Sequence, residues 1–149
     1  MQNLLDADTV NRLVAPDARY VSLNSDNPEL SKVMPWAGTT RGPQGVLNNF
    51  TTMFSRWDNE AFNVTTMFAS GENVAVFGNF RYRSKGLGKV VNSPFAILIK
   101  VVDGRVTYLQ FLEDSYATAA SFRKEGWWTV QPTVAAELVE VGDRDHATV

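Results

Sequence analysis

The sequence contains no cysteine, and that absence removes disulfides, thiolate nucleophiles and cysteine-ligated metals together. Histidine is almost as scarce: the one imidazole, His146, sits in a polar C-terminal stretch, where chain ends are usually frayed. A Ser-His-Asp triad, a histidine general base and a histidine-rich metal site have no candidate members in the body of the chain, and no metal site is expected. Net charge is small, −2 for 149 residues, so there is no basic footprint for nucleic acid or an anionic membrane. No apolar run reaches the roughly 18 residues of a membrane span. The start, MQNLLDADTVNRLV, lacks the basic n-region and apolar core of a secretory signal. These absences give the expectation of a cytoplasmic protein with no nucleic-acid or membrane partner. Internal repeats and low-complexity segments are missing as well.

What is present is a chain of single-domain length with 44% apolar residues, enough to bury a substantial core. Its strongest local signal is FAILIKVVDGRVTYLQFLED, residues 95–114. This reads as two strands, 95–102 and 105–113, joined by Asp103-Gly104, because a type I′ turn needs positive φ at both central residues. In the first strand Phe95, Ile97 and Ile99 face one side, and Ala96 and Leu98 the other. Both faces of such a strand require cover, so the hairpin belongs in the sheet interior. In the second strand Leu109, Phe111 and Glu113 share a face, and Asp114 follows on the other.

Upstream, Asp6 or Asp8 caps a short helix ended by Pro16-Asp17, and residues 19–23 alternate as a strand with Tyr20 and Ser22 on one face. Residues 24–34 read as a loop. PWAGTTRGPQG, residues 35–45, is a turn-rich segment that places Pro43 at the first position of a helix. Val46, Phe50, Met53, Phe54 and Trp57 then form an amphipathic stripe, whose simplest meaning is packing against a sheet. The period next changes to two: residues 62–70 and 74–83 are strands around Gly71-Glu72-Asn73, with Gly78 marking a bend or bulge. The alanine-rich SYATAASFRK after Asp114 is helical and stops at Gly126. Residues 1–126 are expected to form the domain. Residues 127–149, with two tryptophans and an apolar segment of open type, form a C-terminal extension packed on that domain or on a dimer partner. The class is α+β, a strongly curved and mostly antiparallel sheet wrapped on helices.

PWAGTTRGPQGV, an aromatic-rich helix, two alternating strands, a D-G hairpin and an acid-led alanine-rich helix together resemble the SnoaL-like polyketide cyclase family. That family lies in the cone-shaped group holding ketosteroid isomerase, scytalone dehydratase, limonene epoxide hydrolase and nuclear transport factor 2. The resemblance covers residues 6–122. It implies a nuclear transport factor 2-like fold, a deep apolar pocket inside the curved sheet, a homodimer, and no metal or organic cofactor. It does not select an activity, because this group hosts several chemistries and non-enzymes on one scaffold. Two departures stand out. Family members open with a long helix that closes the cone, whereas only a few residues precede Asp6 here; residues 127–141 are expected to take over part of its work. Matched strand by strand to limonene epoxide hydrolase, Tyr20 falls on that enzyme's water-binding tyrosine and Ser22 on its asparagine. Gly78 and Phe80 replace its arginine and first aspartate, and Phe111 its second. The cyclases' pocket acid also falls on Phe111. Epoxide hydrolysis by that constellation is not expected.

The candidate catalytic residues are Glu113 and Tyr20. A carboxyl set against Phe111 and Leu109 has its ionised form disfavoured, which is how a general acid or base is tuned; the alternatives are a solvated strand-end charge or a partner for Arg19 or Arg81. Tyr20 is either a donor to a carbonyl or enolate oxygen or a strand tyrosine bonded locally. The ligand-binding candidates are Ser22, Trp36, Phe54, Trp57, Phe80, Phe95, Leu109 and Phe111, with Trp36 either lining the pocket entrance or plugging its loop into the core. Asp114 reads as a helix cap, and Arg81, Arg83, Lys85 and Lys89 as a solvated hairpin face. The expected ligand is a small, mostly apolar, carbonyl-bearing molecule, acted on by isomerase, dehydratase or cyclase chemistry. The alternative is a non-catalytic small-molecule-binding or dimerisation module.

Overall fold

The structure, a computed structural model, describes residues 6–143. Asp6 caps the first helix, α1 (Ala7–Leu13), its carboxylate accepting from Thr9 N at 3.1 Å. Strand β1 (Val14–Ser22) follows at once and runs through Pro16 instead of starting after it. The register with its neighbour shifts between Val14 and Arg19, and such an irregularity is where a strand tolerates a residue with no N–H to give.

Residues 24–34, expected as a loop, contain helix α2 (Pro28–Val33). Asn27 caps it by accepting from Leu30 N at 3.0 Å, and Pro28 fills the first turn. An Asn-Pro pair punctuates a turn and starts a helix equally well. The turn-rich segment likewise holds a short edge strand, β2 (Gly38–Arg41), with Thr40 opposite Tyr20. Helix α3 (Gly42–Arg56) carries Pro43 in its first turn. Four strands follow: β3 (Trp57–Ser70), β4 (Asn73–Ser84), β5 (Val90–Val102) and β6 (Arg105–Glu113). Helix α4 (Ser115–Phe122) precedes β7 (Gly126–Val130) and β8 (Val139–Asp143).

Six strands form one curved sheet in the order β2-β1-β6-β5-β4-β3, antiparallel except at β1–β6. The 95–114 hairpin is therefore interior, and its turn has positive φ at both Asp103 (49°) and Gly104 (74°). Opposite Gly78 the register slips so that Thr65 is the extra residue of a bulge on β3. A side chain at 78 has no space: its Cβ would lie 2.1 Å from Asn63 O and 2.5 Å from the Phe95 ring.

Two clusters make the core. One is built on Met34, Trp36, Trp57, Phe80, Tyr82 and Phe95 beside α4; the other on Val10, Val14, Ala18, Tyr20 and Val46, where α1 and α3 meet β1. Burying a side chain such as Phe80 contributes about 1.5–3 kcal/mol. The opposite face of the sheet is open: Phe68, Phe77, Leu98 and Leu112 are 57%, 43%, 43% and 47% exposed. The expected cover on both faces of β5 is thus not provided by the described residues of this chain. Strands β7 and β8 form a separate two-stranded sheet. Trp128 lies edge-on to Tyr116 and beneath the Arg123 guanidinium. Trp127 and Trp128 are 49% and 42% exposed in the single chain. Among the described residues no helix is long and apolar enough to cross a membrane.

Candidate active site

Strand pairing decides where the acid stands. The tight turn at 103–104, followed by a register shift between Lys100 and Val101 that leaves Thr107 as the extra residue of a bulge on β6, sets Ile99 opposite Leu109, Ile97 opposite Phe111 and Phe95 opposite Glu113. The strand ends at Glu113 because Asp114 becomes the cap of α4, its Oδ1 accepting from Ala117 N at 2.9 Å. The Asp114 N–H donates to Ser93 Oγ at 2.9 Å, which pins this corner to β5. Glu113 is held between a hairpin and a helix start, and it turns inward by the period of two.

Inward is a cavity of about 150 Å³. Its walls are Tyr20 and Ser22 from β1, Phe50 and Met53 from α3, Phe62 from β3, Tyr82 from β4, Ile97 and Ile99 from β5, and Leu109, Phe111 and Glu113 from β6, with Trp36 from the loop before β2. The Trp36 loop is fixed by Asn49, which donates through Nδ2 to the Trp36 carbonyl. Trp36 therefore meets both of its expected alternatives: it lines the cavity and is also core, packed on Trp57 and Phe122.

Glu113 Oε1 is enclosed and has no hydrogen-bond partner among the described residues. Burial pushes its carboxyl up to about 7; the negative Asp114 adds to this and the Thr118 hydroxyl opposes it. The Tyr20 phenol is also raised, by burial first and further by the charge of Glu113, with the Ser22 hydroxyl opposing. Tyr82 is raised by burial, then by Glu113 and Tyr20. The site thus brings together an acid that changes charge near neutrality and two phenols that keep their protons. Among the described residues neither lysine nor arginine lines the cavity. Among the described residues no group of three His, Cys, Asp or Glu side chains is placed to hold a metal.

The sequence candidates divide in two. Glu113, Tyr20, Ser22, Trp36, Leu109 and Phe111 line the cavity. Phe54, Trp57, Phe80 and Phe95 do not; they back its wall. Phe95 stacks on Phe62 at 4.3 Å and on Phe111 at 5.5 Å. Phe54 lies against Phe50 and Tyr82, and Trp57 against Phe80. Tyr82, Phe50, Met53, Phe62, Ile97 and Ile99 also line the cavity, outside the sequence candidates. Parity with Phe80 would have found Tyr82. Arg81 is engaged elsewhere: it and Arg83 both hold Glu60, at 2.7 and 2.6 Å, on an exposed hairpin face.

Residues 3–109 match the SnoaL-like domain family. Patulin synthesis protein F of Aspergillus clavatus is 42% identical over 120 residues, covering 78% of this chain and 61% of that protein. Patulin biosynthesis cluster protein F of Penicillium expansum is 38% identical over 120 residues, covering 78% and 60%. The chain therefore spans about three fifths of the length of these curated relatives. Among solved structures, an NTF2-like protein of Burkholderia thailandensis superposes with a TM-score of 0.68 at 19% identity, covering 78% of this chain and 85% of that one. The last comparison speaks for the fold, and with the sequence matches it leads to one conclusion: the chain belongs to the SnoaL-like family.

Proposed function

We propose that this chain catalyses proton transfer on a small carbonyl-bearing molecule of secondary metabolism, in a step of isomerase, dehydratase or cyclase type. The names of the two fungal relatives, which tie them to patulin synthesis, support the metabolic setting. One observation carries the acid–base reading: the enclosed, unpartnered Glu113 carboxyl oxygen facing a mostly apolar cavity that it shares with two phenols. In its ionised form Glu113 takes a proton from the carbon beside the carbonyl. Tyr20 donates a hydrogen bond to the carbonyl oxygen, where negative charge develops, and Tyr82 stands beside it as a second phenol. Return of the proton from Glu113 to a different carbon completes an isomerisation; loss of a leaving group or ring closure are the other fates of the same enolate. A cavity of about 150 Å³ is on the scale that admits a benzene-sized molecule, so the reacting part of the ligand is a single ring.

This reading takes the protein as cytoplasmic, cofactor-independent and homodimeric, with the open apolar face around Phe77, Leu98 and Leu112 as the dimer surface. A second reading rests on Phe111, aromatic where the resemblance places the cyclases' acid: the cavity would then hold a ligand without transforming it. Hydrogen exchange separates the two. In D₂O the wild type should exchange the acidic hydrogens of cyclohexenone faster than buffer does, and Glu113→Gln should lose about 10²-fold or more of that rate while folding normally. Binding of cyclohexenone without exchange would favour the second reading.

A further inference from the structure

A second cavity, of about 190 Å³, lies where α1 and α3 meet β1 and β6, walled by Val10, Leu13, Val46 and Val106 among others. Tyr20, Phe50, Ile99 and Leu109 line both this cavity and the one at Glu113. These four side chains are the partition between them. Ile99 and Leu109 face each other across β5 and β6 at the centre of the sheet. Tyr20 is buried on β1 and is the donor of the proposed reaction. Phe50 differs from the other three. It projects from α3, is half-buried, and lies stacked on the Tyr20 ring at 5.9 Å with the planes 13° apart. It is the one member whose loss opens a passage without removing a donor or cutting into the sheet layer.

We infer that Phe50 sets the length of ligand the site accepts. With phenylalanine at this position the ligand is confined to one ring at Glu113. The second cavity is a latent subsite for an unbranched alkyl substituent, reached when residue 50 is smaller. The class of substituent follows from the walls. They are aliphatic apart from the shared rings of Tyr20 and Phe50, the exposed Arg19, and Thr9, which is already bonded to Asp6. Burial of methylene groups is therefore the main gain that the described walls offer. The inference rests on the reading of the Glu113 cavity as the ligand site, and not on catalysis within it.

The test is calorimetric titration of phenol and 4-butylphenol into wild type, Phe50→Ala, Phe50→Leu and Glu113→Gln. Wild type should bind the two phenols within about threefold of each other, whereas Phe50→Ala should prefer 4-butylphenol by about tenfold or more, from the newly buried chain. Phe50→Leu should fall between them, and it decides the matter if the alanine variant does not fold. Glu113→Gln should keep the wild-type ratio, so loss of exchange activity and loss of the partition are read separately. Three results would overturn the inference: a wild type that already prefers the butyl compound tenfold, folded Phe50 variants whose ratio does not move, or no binding of either phenol to any of the proteins. A wild type without exchange activity, but with the ratio shift intact, would refute only the acid–base reading.

Discussion

Replacing Gly78 by alanine adds one methyl group where two neighbours already occupy its place. The new Cβ would lie 2.1 Å from Asn63 O and 2.5 Å from Phe95 Cζ, both far inside contact distance. The first neighbour is backbone, so no rotamer change relieves it. The second is a ring clamped between Phe62 at 4.3 Å and Phe111 at 5.5 Å. Overpacking of this kind costs typically 1–3 kcal/mol, and with both neighbours fixed the upper end, about 3 kcal/mol, is expected. For a domain of this size each kcal/mol moves the midpoint by roughly 2–4 °C, so Gly78→Ala should melt about 6–12 °C below wild type. Circular dichroism melts of wild type, Gly78→Ala and a control, Gly86→Ala, measure this. The control has nothing within 4 Å of the added Cβ and should be neutral or slightly stabilised, by up to about 1 kcal/mol, through its less flexible unfolded chain. A Gly78→Ala protein melting within about 2 °C of wild type would refute the packing described for Phe95 and the wall it supports.

Further outcomes follow from the same geometry. Glu113 titrates at about 7 in the folded protein, above its ordinary 4.5, so the folded state holds the proton more tightly than the unfolded state does. The associated stability is complete below the unfolded value and is lost as pH rises through 7. Between pH 5 and pH 8, urea unfolding should show wild type losing about 2–3 kcal/mol relative to Glu113→Gln; parallel pH curves would mean a solvated carboxylate. Asp114→Ala should cost about 1 kcal/mol of stability and Asp114→Asn almost nothing, since asparagine caps a helix as well as aspartate; an equal loss from both would mean that the charge, not the cap, matters. Sedimentation at micromolar concentration should show a dimer for wild type and a monomer for Leu98→Lys. A monomeric wild type would rule out the proposed dimer surface.

Much of the fold was legible because local chemistry and long-range pairing agree. Asp103-Gly104 names the turn, and the period of two carries Leu109, Phe111 and Glu113 to one face, whereas the bulge at Thr107 that shifts their pairing by one residue has no local signal. Tyr20 and Ser22 were legible by the same period of two. What parity does not give is depth. Phe80 and Tyr82 share a face of β4, yet Tyr82 lines the cavity while Phe80 fills core beneath Trp57. Depth is set by tertiary packing, which places Phe54, Trp57, Phe80 and Phe95 behind the cavity wall and Ile97, Ile99 and Tyr82 on it. Helix α2 and strand β2 were hidden for another reason: each is a few residues long, too short to display a period. Asn49 did leave a trace, as a polar residue between Val46 and Phe50 on an otherwise apolar stripe, and its buried side chain is what ties down the Trp36 loop.

Glu113's own ionisation is the most direct test of a proton-transfer role. In protein labelled with carbon-13 glutamate, the Glu113 side-chain carboxyl resonance is identified by its disappearance in Glu113→Gln and followed by NMR from pH 4 to pH 9. A midpoint near 7 is the expected result. A midpoint at the ordinary 4.5 would place the carboxylate in water and contradict its role as the acid–base group of an apolar site.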